Sequence, residues 1–136
     1  IALQDKIGWG SRYVENVKFE SDVPHIIGTK VLNTWISAWL RTGIRDHTLG
    51  YFALKRETLN LILNHATEKN IAPFDSVLYG LPIAAIALKL GVPIVEVKAP
   101  YERRKHGESK IGFVDGVGLV LRDMKYTLQL SSRLKK

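Results

Sequence analysis

The sequence predicts an α/β fold. Short apolar stretches that suit strands alternate with longer segments whose apolar residues recur at helical spacing. Glycine and proline fall at the joins between them. Hydrophobic residues make up 46% of the 136 positions and charged residues 24%, an ordinary globular balance able to bury a core.

Residues 6–13, Lys-Ile-Gly-Trp-Gly-Ser-Arg-Tyr, read as a short strand running into a loop. Gly8 and Gly10 within it mark close approach of another backbone. A polar connection over 15–22 leads into a helix that Ser21 or Asp22 caps and Pro24 opens. Ile27, Val31, Trp35 and Trp39 recur at i+4 with Leu32, Ile36 and Leu40 beside them, a wide apolar face. Trp35 and Trp39 are assigned to the core, with carbohydrate stacking as the alternative. Gly43 is the expected stop.

Residues 46–54 form a turn into a strand. Residues 56–69 form a second helix with Leu59, Ile62, Leu63 and Ala66 on one face. After a linker over 70–74, residues 81–90 make a third helix, opened by Pro82 and stopped by Gly91. Residues 92–97 form a strand, and Pro93 belongs at its start or on a sheet edge because it lacks a donor. Residues 112–130 form a fourth helix with Val114, Val117, Leu121, Met124 and Leu128 on one stripe and Arg122 and Lys125 off it. That stripe either packs on the domain or lies in a membrane interface. The expected division is a domain over 1–112 and an amphipathic, basic C-terminal helix over 113–136.

Net charge is +7, and residues 98–136 hold ten Lys/Arg against four Asp/Glu, so that segment carries +6 of it. An excess so placed points to an anionic partner: phosphate, a phospholipid surface or nucleic acid. The nucleic-acid reading rests on charge alone, with no aromatic-interleaved basic motif, so nucleic acid is not expected as a partner. Cysteine is absent, which excludes disulfides and thiol chemistry. No apolar run reaches the roughly 20 residues of a membrane span. The chain starts at Ile1 almost inside a strand, which suggests a piece of a longer polypeptide.

The chemistry concentrates in residues 101–112, Tyr-Glu-Arg-Arg-Lys-His-Gly-Glu-Ser-Lys-Ile-Gly. Arg103, Arg104, Lys105 and Lys110 supply charge, Ser109 a hydroxyl, and Gly107 and Gly112 tight turns. Such a loop either wraps a phosphate or is a solvated charge run. Ser11, Arg12, His25 and Lys30 are further anion-binding candidates; the last two are five apart and need not share a face. Asp46 ahead of Thr48 and Gly50 reads as a turn-former through Asx bonding. Asp46 and His47 are adjacent, so their side chains diverge and no triad follows. The four histidines show no ligand pairing, and there is neither a Walker loop nor a dinucleotide fingerprint. Converging cations without a general base suit a phosphate nucleophile, whose second pKa near ~6 leaves it ionised unaided.

Three segments, taken in order, resemble a known family: Gly10-Ser-Arg-Tyr13; Asp46-His-Thr-Leu-Gly-Tyr51 with Lys55-Arg-Glu57; and Glu96-Val97 with Arg104-Lys-His-Gly-Glu-Ser-Lys110. Together they resemble the C-terminal half of dolichyl-phosphate mannose synthase and the related polyprenyl-phosphate glycosyltransferases of family 2. The resemblance implies the C-terminal portion of a GT-A fold, a Rossmann-like α/β sandwich. It implies transfer of a hexose, mannose or glucose, from GDP-mannose or UDP-glucose to a polyprenyl or dolichyl phosphate. The anomeric centre inverts, and the lipid phosphate is the nucleophile. It implies Asp46 and Arg104 as catalytic residues, and Ser11, Arg12, His25, Lys30, Ser109 and Lys110 as substrate-binding residues. A divalent Mg or Mn ion is implied too, with its Asp-x-Asp ligands in a nucleotide-binding half that this chain lacks, so the 136 residues alone are expected to be inactive. The implied location is the cytoplasmic face of a membrane. The chain departs from the family pattern in three places: His25 stands at a usual arginine, Phe52 at another arginine, and Pro82 near Tyr79-Gly80 at an acid. The alternative is a non-catalytic basic module of the same fold that binds anionic lipid or a partner subunit.

Overall fold

The structure, a computed structural model, describes residues 5–14, 23–71, 80–100 and 113–135. Its elements are β1 (Ile7–Ser11), α1 (Val23–Leu40), β2 (Phe52–Ala53), α2 (Arg56–Glu68), α3 (Gly80–Lys89), β3 (Ile94–Lys98) and α4 (Phe113–Lys135). The three strands form one mixed sheet in the order β2-β1-β3. β1 runs parallel to β3, with Ile7 opposite Ile94 and Ser11 opposite Lys98. It runs antiparallel to β2, with Trp9 opposite Phe52. The alternation of elements is therefore that of the expected α/β chain. The caps assigned to Ser21 and Asp22, and most of the 70–74 linker, lie outside the described residues.

Local chemistry explains the boundaries. A Cβ on Gly10 would meet Tyr51 O at 3.2 Å and Ala99 Cβ at 3.3 Å, the close approach its glycine implies. Pro93 sits just ahead of β3, where its missing N–H interrupts no ladder, and its carbonyl accepts from Ile7 N at 2.9 Å. α1 stops earlier than Gly43 suggests, because Arg41 already takes a left-handed φ of 50°. α2 and α3 end in the same way. Asn70 (φ 55°) and Gly91 (φ 76°) turn the chain left-handed. Ile71 N then donates to Ala66 O, and Val92 N to Ala87 O, both at 2.8 Å. These are Schellman closures, and buried Ile71 lies against buried Ala66 as that motif favours.

One hydrophobic core joins β1 to all four helices: Ile7 and Trp9, Leu32 and Ile36 of α1, Ile62 and Ala66 of α2, α3 from Leu81 to Ala87, and Leu130 and Leu134 of α4. α3 is buried almost throughout. Lys89 Nζ donates to Leu134 O, and Arg133 to Asn70 O, pinning the end of α4 to the rest.

One expectation about a helix face is corrected, and one open choice, for the apolar stripe of α4, is decided against packing on the domain. On α1 the core takes Leu32, Asn33 and Ile36, while Ile27, Val31 and Trp39 stay exposed and Trp35 is half-buried. On α4 the buried line is Asp123, Thr127, Leu130, Ser131 and Leu134. The apolar stripe of Val117, Leu121 and Leu128 faces outward, with Met124 half-buried; the side chain of Val114 lies outside the described residues. The reason is that α4 packs on α1 through polar residues whose hydroxyls bond to helix carbonyls. Thr127 Oγ1 donates to Asp123 O at 2.8 Å, and Ser131 Oγ to Trp39 O at 3.4 Å.

Candidate functional site

The site lies at the carboxyl ends of the parallel strands β1 and β3, where α/β sheets commonly bind ligands. Gly10 N donates to Tyr51 O at 2.8 Å and Ala99 N to Ser11 O at 3.0 Å, so the ends of β1 and β3 meet the segment that leads into β2 there.

At its centre is a buried ion pair. Arg12 grips Asp46 through Nε–Oδ2 at 2.8 Å and Nη2–Oδ1 at 2.9 Å, and the Arg12 backbone N–H adds a third bond to Oδ2 at 2.9 Å. Arg12 Nη2 also donates to Thr48 Oγ1 at 2.5 Å. Thr48 N closes the expected Asx turn onto Asp46 Oδ1 at 3.2 Å. The Asp46 carbonyl accepts from Trp9 Nε1 at 2.7 Å. Asp46 is 0% and Arg12 4% exposed. Burial by itself would raise the Asp46 pKa, but the Arg12 side-chain and backbone bonds, its charge and the Thr48 N–H outweigh that and hold it below the ordinary carboxylate value. The carboxylate is thus ionised with both oxygens engaged, the geometry of a group that positions an arginine.

His47 turns away from Asp46, as adjacency requires. Its Nε2 meets Thr42 Oγ1 at 2.7 Å, and its backbone N–H donates to Asn33 Oδ1 at 2.6 Å. Burial drives its pKa down to about 4, against the opposing pull of Asp46. Arg45 ties this loop to β3. Its N–H donates to Glu96 Oε1 at 2.7 Å, and its guanidinium reaches Glu96 Oε2 at 3.3 Å and Tyr13 O at 3.3 Å.

Of the residues expected at the site, Arg12 and Asp46 meet directly. Ser11 is buried beside them, its Oγ accepting from Tyr13 N at 3.2 Å. His25 and Lys30 are exposed on α1. That helix is attached to the site by Tyr13 OH and Thr29 Oγ1 at 2.9 Å. Arg104, Ser109 and Lys110, with the whole loop over 101–112, lie outside the described residues; the chain leads into them from β3. Phe52 stacks on Trp9 at 5.2 Å and 13° between planes, and Pro82 is buried in the first turn of α3, so both departures from the family pattern serve packing. Trp9, Thr42 and Glu96 were not singled out as site residues by sequence. Glu96 had a signal, as the start of the third motif segment. Trp9 and Thr42 had none.

Among the described residues no group of three or more His, Asp or Glu is placed to hold a metal ion, so no step is derived through one. No described helix is long and apolar enough to cross a membrane. No family model, curated protein or solved structure matches the chain.

Proposed function

We propose that this chain is the acceptor-side part of a GT-A glycosyltransferase that moves a hexose from a nucleotide sugar to a polyprenyl phosphate at the cytoplasmic face of a membrane. One observation carries the reading. Motif segments far apart in sequence converge at one end of the sheet: Arg12 binds Asp46, Glu96 binds Arg45, and β3 leads from there into the basic loop. The lipid phosphate is already ionised and needs no general base, so the work left to the protein is positioning and charge stabilisation. Asp46 holds Arg12 rigid at the end of β1. The cations of 101–112 close over the phosphates. Donor and metal binding belong to a nucleotide-binding half outside these 136 residues, since the sequence contains no Asp-x-Asp.

The test is transfer of labelled hexose from GDP-mannose or UDP-glucose to polyprenyl phosphate by the full-length protein with a divalent ion. Arg104→Ala is expected to lower kcat by roughly a hundredfold, the scale of losing one charge-stabilising donor. Transfer at the unaltered rate would sink the assignment of the loop.

A second reading, a non-catalytic module that binds anionic lipid or a partner subunit, is favoured by Phe52, which packs on Trp9 where the family carries an arginine. Calorimetry on the full-length protein separates the two, because a non-catalytic module gives no heat with either nucleotide sugar.

A further inference from the structure

We infer that α1 and α4 together form a membrane-resting face, with both helices lying in the plane of an anionic bilayer surface. The inference rests on the proposed membrane-surface reading and assigns it a face.

Among the described residues, seven of the ten exposed large hydrophobic side chains lie on these two helices: Val23, Ile27, Val31 and Trp39 on α1, and Val117, Leu121 and Leu128 on α4. The helices run side by side in the same direction. Trp35 Nε1 donates to Met124 O at 3.2 Å, and further along both helices Ser131 Oγ donates to Trp39 O. Val31 and Leu121 each precede the Trp35–Met124 contact by one turn, and Ile27 and Val117 by two turns. The four therefore fall in matching pairs along the seam, 56%, 49%, 46% and 61% exposed for Ile27, Val31, Val117 and Leu121. A core cannot be their destination, because each helix already buries a different line.

Charge selects lipid as the occupant. The described parts of the two helices carry Lys30, Arg122, Lys125, Arg133 and Lys135, against Asp115 and the buried Asp123. An apolar face on helices with an excess of Lys and Arg, neither of them long and apolar enough to span, fits insertion among anionic headgroups. The half-exposed Trp39 suits the headgroup level.

The experiment is flotation of the protein with phosphatidylcholine vesicles, with and without phosphatidylserine. The protein is expected to float with the anionic vesicles and to be released by high salt. The double variant Val31→Asp/Leu121→Asp is expected to lose about tenfold or more in vesicle affinity, while Leu61→Asp, at an exposed apolar position on α2, floats like the parent. Circular dichroism checks that the variants fold. Brominated lipid is expected to quench fluorescence from Trp39, a signal that Trp39→Phe removes. Flotation that survives the double variant, absence of flotation by the parent, or absence of quenching each overturns the inference. So does a concentration-dependent dimer that Leu121→Asp dissolves in place of vesicle binding. Transfer to a short-chain, water-soluble polyprenyl phosphate keeps the two proposals apart. The face variants retain it if the enzyme reading holds, and its absence from a parent that floats removes the enzyme reading alone.

Discussion

Arg12 and Asp46 hold each other out of water, so each is costly without its partner. Arg12→Ala would leave the Asp46 carboxylate buried and unpaired, and should lower stability by about 3–5 kcal/mol, read as a fall in the urea midpoint with little change in slope. Acid should act in two separate windows. His47 is kept neutral, so the unfolded chain takes up its proton first. Stability present above about pH 6.5 is therefore lost as pH falls toward 4, by on the order of 3 kcal/mol, and His47→Gln should flatten that slope. Asp46 has the depressed pKa of a paired carboxylate. Its contribution is present above the unfolded value of about 3.9 and is lost only below it, so Asp46→Asn should remove this lower window and, by lifting the opposing pull on His47, widen the upper one. Urea titrations across pH separate the two. The Asp46 turn was legible, because Asp-x-Thr ahead of glycine suits Asx bonding. Its grip on Arg12 was not a matter of spacing, since 34 residues separate them, and the family resemblance gave the two residues separate roles without pairing them.

At the scale of elements, helix ends were easier to read than helix faces. Gly91 could be recognised because a left-handed residue after a helix is usually glycine, whereas nothing in the sequence marks Arg41 for that role. Gly91→Ala should cost about 1 kcal/mol, measured by thermal unfolding, because its φ of 76° disfavours a Cβ although nothing crowds the site. The face of α1 misled, and that of α4 stayed open, because periodicity reports where apolar residues lie, not what covers them. α4 buries Asp123, Thr127 and Ser131, and the Thr127 and Ser131 hydroxyls bond to helix carbonyls and so present little unmet polarity to α1. Nothing in a hydrophobic pattern marks such a line. Leu130, at 1% exposure, anchors the same face, and Leu130→Ala should cost about 2–5 kcal/mol in the same unfolding assay.

For the molecule as a whole, the alternation of strands and helices could be read in advance, but the sheet order could not. Strand patterns do not state their partners, and β2 is only two residues long, since the left-handed Gly50 (φ 81°) and the Asp46 turn keep the preceding chain in loops. The parallel pairing places Ile7 against Ile94, 87 residues later in the chain. β1 therefore leaves the ribosome with its eventual neighbour still untranslated. At typical synthesis rates that neighbour follows on the order of ten seconds behind. During that interval Trp9 has β2 and its Phe52 stack as the nearest available shelter, and the strand's other edge stays open to chaperones or to a wrong partner.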